Sequence, residues 1–266
     1  MERVISRRNS IVRETLIPAT FARRRSQSPK ARMSAGEAIP ACPRVNRFYP
    51  PPMHLYIDTA NLDEIRQAAA LGVLDGVTTN PSLIAKEGVD YSKRLAEICQ
   101  IVEGPVSAEV ISTDYDGMMR EGRAAAKVAP NIVVKLPCTV DGLRACKAFS
   151  DERTRTNMTL CFQPLQALLV AKAGSFLVSP FIGRIDDIGE DGMTLIHQMR
   201  QIYDNYGFTT KILAASIRHP KHMLDCALAG ADVATVPFKV IMQFMNHPLT
   251  DVGLQKFVSD YKKAFG

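Results

Sequence analysis

No stretch of the chain reaches the roughly eighteen uninterrupted apolar residues that a membrane helix needs, because Arg, Lys, Asp or Glu interrupts every candidate. A spanning helix is excluded, and no membrane partner is expected. No two of the six cysteines, Cys42, Cys99, Cys138, Cys146, Cys161 and Cys226, form a C-x-x-C pair. Their scatter argues against a zinc site or a disulfide framework and fits a reducing, cytoplasmic compartment. There is no G-x-G-x-x-G. The nearest approach to a phosphate loop, Gly117 to Gly122 followed by Arg123 and Ala124, lacks the Lys-Ser/Thr pair, and Met118-Met119-Arg120-Glu121 reads as ordinary helix. His219 and His222 have neither an H-E-x-x-H context nor an evident acidic third ligand, so no metal and no cofactor are expected.

What is present suits a globular protein: 266 residues, 46% hydrophobic and 23% charged. The net charge of +6 would suggest a nucleic-acid partner if it were spread over the fold. It is not spread. Residues 1–52 hold 11 Lys/Arg and 3 Asp/Glu, which leaves 22 basic and 24 acidic residues for the remainder. The extension, with Arg23-Arg24-Arg25 and Pro50-Pro51-Pro52, reads as a disordered basic segment. It could be a targeting peptide, a nucleic-acid arm, or an inert appendage to a protein whose translation begins at Met53. The last reading is favoured, so no nucleic-acid partner is expected.

From Leu55 onward, β-prone runs alternate with helical stretches about every 25 residues, as repeated βα units require. Candidate strands are 55–58, 76–80, 106–111, 132–136, 157–161, 176–181, 211–216 and 233–237. Eight is the number that closes a (β/α)₈ TIM barrel, here expected over 53–266 with a C-terminal helix. Asn61 with Glu64 resembles a capping box and Pro81 suits a first helical position, while Gly72, Gly104, Gly174 and Gly230 sit where helices should stop. An open doubly wound sheet uses the same units, but its cofactor motifs are missing.

The apolar strands place Asp58, Asn80, Glu109, Lys135, Thr159, Ser179 and Ser216 near their carboxyl ends, the mouth where barrels build active sites. A small hydroxyl there can simply satisfy nearby backbone. Lys135, inside Ile132-Val133-Val134-Lys135-Leu136-Pro137, is harder to dismiss, since a lysine among apolar residues is costly to bury. A dry site disfavours the ammonium form and frees a nucleophilic amine, which attacks carbonyls to give an iminium that stabilises the carbanion of aldol cleavage. Asp58 and Glu109 are the available acid/base groups, and Asn80 could hold a substrate hydroxyl by donating and accepting at once. Ala215-Ser216-Ile217-Arg218-His219-Pro220 passes from strand to helix, so Ser216, Arg218 and helix amides could hold a phosphate with Arg184 opposite.

Several runs in order resemble the transaldolases: Tyr56-Ile57-Asp58-Thr59-Ala60-Asn61, Gly76-Val77-Thr78-Thr79-Asn80-Pro81-Ser82, Ser107-Ala108-Glu109-Val110, Val133-Val134-Lys135-Leu136-Pro137, Ser179-Pro180-Phe181-Ile182-Gly183-Arg184 and Ala215-Ser216-Ile217-Arg218. The match is closest to the short branch grouped with fructose 6-phosphate aldolases. The resemblance implies transfer of a dihydroxyacetone unit from sedoheptulose 7-phosphate to glyceraldehyde 3-phosphate, giving erythrose 4-phosphate and fructose 6-phosphate, in the pentose phosphate pathway. By motif, Lys135 forms the Schiff base, Asp58 acts on the C4 hydroxyl, and Glu109 with Thr159 binds the catalytic water. Thr78, Asn80, Asn157 and Ser179 hold sugar hydroxyls, while Arg184, Ser216 and Arg218 bind phosphate.

The alternative is an aldolase releasing free dihydroxyacetone, in which a glutamine resembles the position of Glu109 and a tyrosine that of Phe181. This chain carries the transaldolase pair. The segment Cys161 to Gln166, with Gln163-Pro164, departs from the Asn-rich turn of close relatives. The C-terminal His247-Pro248-Leu249-Thr250-Asp251 and its helix resemble segments that pack onto a neighbouring subunit, which implies a homo-oligomer, often a decamer of ring pentamers. A metal-dependent barrel aldolase, a nucleic-acid-binding protein acting through its tail, and a barrel kept only for assembly are the competing readings.

Overall fold

The computed structural model describes residues 52–265, so the basic extension read from 1–52 lies, apart from Pro52, outside the described residues. Eight strands follow in order: β1 (His54–Asp58), β2 (Gly76–Thr78), β3 (Val106–Glu109), β4 (Ile132–Pro137), β5 (Thr156–Cys161), β6 (Leu177–Pro180), β7 (Lys211–Ala214) and β8 (Val233–Val236). Each pairs in parallel with its neighbour, and β8 returns to β1, closing a barrel. Helices follow the strands, as the expected (β/α)₈ TIM barrel requires. No helix among the described residues is long and apolar enough to cross a membrane.

The period of two along each strand separates two apolar layers. Residues such as Ile57, Val77, Val134, Leu136, Met158, Val178, Ile212 and Val236 face outward and join the helices in one core. Tyr56, Val133, Leu177, Leu213 and Val233 form a smaller cluster inside the barrel. Gly76 belongs to this inner layer because a β-carbon there would stand 2.7 Å from the Tyr56 ring. Two residues further along the same strands, the inward positions become Asp58, Thr78, Lys135, Ser179, Ala215 and Thr235. The apolar plug therefore gives way to a polar mouth in one step of the pleat.

Local chemistry sets the strand ends. Asn61 caps the helix Leu62–Ala70 by accepting from Asp63 and Glu64 amides at 3.0 Å. Glu64 does not complete the box on the Asn61 amide. Its carboxylate accepts from Thr59 Oγ1 at 2.6 Å, and Thr59 Oγ1 accepts the Asn61 amide. Pro81 is the first residue of the helix Pro81–Lys86, and Asn80 caps it. This is why β2 stops at Thr78, short of the expected Asn80. Gly72, Gly174 and Gly230 adopt positive φ just past helix ends, as expected. Gly104 does not. Its helix has already ended at Ile101, and glycine is needed because a β-carbon would lie 1.8 Å from the Asp75 carbonyl oxygen.

Candidate active site

A cavity of about 210 Å³ opens at the carboxyl ends of the strands, lined by Asp58, Thr78, Asn80, Lys135, Ser179, Phe181, Arg184, Ala215, Ser216, Ile217, Arg218, Thr235 and Pro237. Lys135 stands on β4 with a side chain only 6% exposed. A buried ammonium without partners would cost several kcal/mol, about as much as a small domain can spare. Its partners are the Glu109 carboxylate on β3 at 2.9 Å and the Thr79 carbonyl after β2 at 3.1 Å. Strand register puts Glu109 directly beside Lys135, so the pair follows from the ladder itself.

Asp58, at the end of β1, accepts from Thr78 Oγ1 at 2.7 Å. Thr78 Oγ1 is also 2.6 Å from Thr235 Oγ1 on β8. Thr78 has one hydroxyl proton and commits it to the carboxylate, so Thr235 donates to Thr78 and the two hydroxyls form a relay aimed at Asp58. Burial pushes the Asp58 carboxyl above the usual carboxylate range, against the opposing pull of Lys135 and the Thr78 hydrogen bond. A carboxyl so placed can both give and take a proton nearer neutral pH. Thr235 had no place in the sequence argument. Its only trace was a hydroxyl at an inward position of Val233-Ala234-Thr235-Val236.

The remaining sequence candidates divide into three groups. Asn157 is fully buried beneath the cavity, donating to Ser107 Oγ at 3.1 Å and accepting from Ser179 Oγ at 2.7 Å. It positions Ser179. Thr159 is also buried, and its Oγ1 has no hydrogen-bond partner among the described residues. Asn80 lines the cavity, but its carbonyl oxygen accepts the Leu83 amide at 3.0 Å. The cap uses one lone pair of that oxygen, which leaves its second lone pair and the amide NH₂ for a ligand.

The other wall of the mouth is cationic. Arg184 lies over the Phe181 ring at 5.5 Å, and Arg218 reaches Asp187 at 2.7 Å in an exposed pair. Ser216 holds a left-handed φ of 61°, unusual for a residue with a side chain. Gly183 lets this turn approach, since a β-carbon there would meet the Ser216 carbonyl oxygen at 2.2 Å. His222 accepts the Arg218 amide at 3.2 Å through Nδ1 and sits 2.9 Å from Asp186 through Nε2. Asp186 is an acidic neighbour the sequence did not reveal, but it braces the turn. Among the described residues no group of three His, Cys, Asp or Glu side chains is arranged to hold a metal ion.

Residues 55–266 match the family described as Transaldolase/Fructose-6-phosphate aldolase. The chain belongs to this family. It is 58% identical over 212 residues to a probable transaldolase of Anaeromyxobacter sp. (strain K), covering 80% of this chain and 98% of that one. A protein of Bacillus anthracis named probable transaldolase 1 shares 58% over 212 residues, covering 80% and 99%. A probable transaldolase of Geotalea uraniireducens (strain Rf4) shares 56% over 212 residues, again covering 80% and 99%. The charged groups of the mouth are the buried lysine with Asp58 and Glu109 on one side and the arginines on the other.

Proposed function

We propose that this protein is a transaldolase that moves a dihydroxyacetone unit from sedoheptulose 7-phosphate to glyceraldehyde 3-phosphate through a Schiff base on Lys135. The observation that carries the reading is a buried amine paired with Glu109 in a cavity of about 210 Å³ that Asp58 also lines, with two arginines across it. Lys135 Nζ passes a proton to Glu109 and attacks the ketose carbonyl. Water leaves the carbinolamine with help from Glu109 and Thr159, whose unpartnered hydroxyl suits a bound water. Asp58 then takes the C4 hydroxyl proton, the C3–C4 bond breaks, and the iminium accepts the electron pair. Erythrose 4-phosphate departs, the retained three-carbon enamine adds to glyceraldehyde 3-phosphate, and water then hydrolyses the resulting iminium to release fructose 6-phosphate and free Lys135. Thr78, Asn80 and Ser179 hold sugar hydroxyls, and Arg184, Ser216 and Arg218 hold the phosphate.

The same reading makes the enzyme cytoplasmic and oligomeric, with sugar phosphates and copies of itself as partners. The C-terminal helix Pro248–Phe265 supports assembly, because none of its residues is buried and Leu249, Val252, Phe257, Val258, Tyr261 and Phe265 are each more than half exposed. Borohydride reduction with fructose 6-phosphate, followed by peptide mass spectrometry beside a Lys135→Ala control, tests the chemistry. An adduct confined to Lys135 is expected; a folded wild-type protein that forms none would remove the proposal.

A further inference from the structure

Two cysteines that the mechanism leaves unused meet at the ends of β4 and β5. The Cys138 amide donates to the Thr159 carbonyl at 2.8 Å, continuing the ladder one residue past β4. Beyond Thr159, Leu160 takes a left-handed φ of 57° and the register of β5 shifts between Met158 and Cys161. That bulge turns Cys161 to the outer face, where Cys138 already points, and both thiols enter the same apolar layer. Gln166 ties the two segments together, donating to the Cys138 carbonyl at 3.3 Å and accepting the Phe162 amide at 2.9 Å. The two thiols perturb each other, the pairing pushing the Cys138 proton affinity up and the Cys161 proton affinity down. The register that pairs Pro137 with Thr159 sets Cys138 beside the bulge that carries Leu160 and Cys161, on the adjacent strand.

Access and reactivity are divided between the two. Cys138 is part-exposed and lines a cavity of about 160 Å³ with Thr139, Val140, Leu143, Met158 and Gln166. Cys161 is fully buried behind it. The neighbouring Cys138 thiol holds the Cys161 thiol below its ordinary range despite burial, while the Cys161 S–H donates to the Gln163 carbonyl at 3.7 Å. Cys99, Cys146 and Cys226 show no such thiol pairing among the described residues.

We propose that Cys138 and Cys161 form a peroxide-responsive dithiol, oxidised to a disulfide that clamps β4 to β5 beside Lys135 and Thr159 and slows turnover. The Cys161 sulfur attacks one peroxide oxygen; an S–O bond forms, the O–O bond breaks, and the departing hydroxide takes a proton to become water. Cys138 attacks the resulting sulfenic sulfur, the S–S bond forms, and the S–O bond breaks as the second hydroxide leaves with the Cys138 proton. Two thiols lose two electrons and two protons, and one peroxide becomes two waters. Cys138 follows Lys135 by three residues and Cys161 follows Thr159 by two, so the cross-link shifts the backbone that aims both groups.

The test is to treat the full chain with hydrogen peroxide, digest it unreduced and map its peptides, measuring kcat before and after dithiothreitol. A single peptide linking Cys138 to Cys161, lighter by two hydrogens, is expected, with kcat down about tenfold and restored on reduction. Cys138→Ser should abolish both the link and the loss. Oxygen addition without the link, or a link to another cysteine, would overturn the site. A link with unchanged kcat would overturn its control of turnover. Peptide mapping needs no activity, so a failure of the transaldolase reading would be seen separately.

Discussion

On the β1–β4 side of the mouth the charged groups are buried and hydrogen-bonded within the barrel, whereas beyond β6 and β7 the arginines stand in solvent. The Lys135 and Glu109 side chains are 6% and 17% exposed, against 50% and 60% for Arg218 and Asp187. Low dielectric on the first side makes each proton's position expensive to change, so proton transfers there are controlled by geometry. On the second side water screens the ions, and an exposed pair is worth about 1 kcal/mol or less. Arg218 can therefore exchange Asp187 for a phosphate at small cost. The buried side is suited to chemistry and the wet side to grip, and substitutions should separate the two.

The largest effect is expected at Lys135. Lys135→Ala should lower kcat by about 10⁴-fold or more, since the covalent route is lost altogether. If the variant kept a tenth of the activity in a coupled assay of erythrose 4-phosphate formation, the buried side would not be where bonds are made.

Asp58→Asn should lower kcat by about 10²- to 10⁴-fold while Lys135 still traps ketose under borohydride, because only the base is removed. Stability should move the other way. Burial raises the folded-state pKa of Asp58 above its ordinary 3.8, so the folded chain holds that proton more tightly than the unfolded one. Between the two values stability falls as pH rises, and the full cost persists above the folded pKa. The variant should thus be the more stable protein at neutral pH, a gain that fades as pH drops toward 3.8. The same shift places the acid limb of the wild-type kcat profile above the ordinary carboxylate range. Thermal unfolding of both proteins across pH would expose a wrong sign at once.

Arg218→Ala probes the wet side. KM for a phosphorylated ketose should rise about tenfold to a hundredfold, the worth of one charge-assisted contact, with kcat nearly kept. KM for unphosphorylated fructose should stay constant. Equal losses on both substrates would mean that the arginine supports the fold of the turn instead of gripping an anion.

The sequence exposed the buried side better than the wet one, for physical reasons. A lysine or glutamate inside an apolar strand is conspicuous because burial makes it costly, and all eight strands were visible through short β-prone runs at regular spacing. Bounds were less visible where side chains compete with the ladder, as at Asn80, whose cap ends β2 at Thr78. Gly104 looked like a helix stop because glycine's use at positive φ and its use in close packing leave the same letter. The His222–Asp186 contact joins residues 36 positions apart, and no local period reports such a pair.

Thr235 is the sharpest case of what stayed hidden, and it carries the smallest expected effect. In Val233-Ala234-Thr235-Val236 a threonine looks like one more β-branched residue, and only barrel closure brings it 2.6 Å from Thr78. Thr235→Val keeps that shape and removes the donor at the head of the relay. Thr78 then bonds Asp58 without being polarised from behind, so the carboxylate should be held less firmly and its pKa should rise further. A loss of about 1 kcal/mol corresponds to roughly a fivefold drop in kcat at low pH, shrinking as pH rises and Asp58 ionises regardless. An acid limb that does not move in Thr235→Val would mean that Thr78 alone sets the proton on Asp58, and that the eighth strand contributes only packing to the buried side.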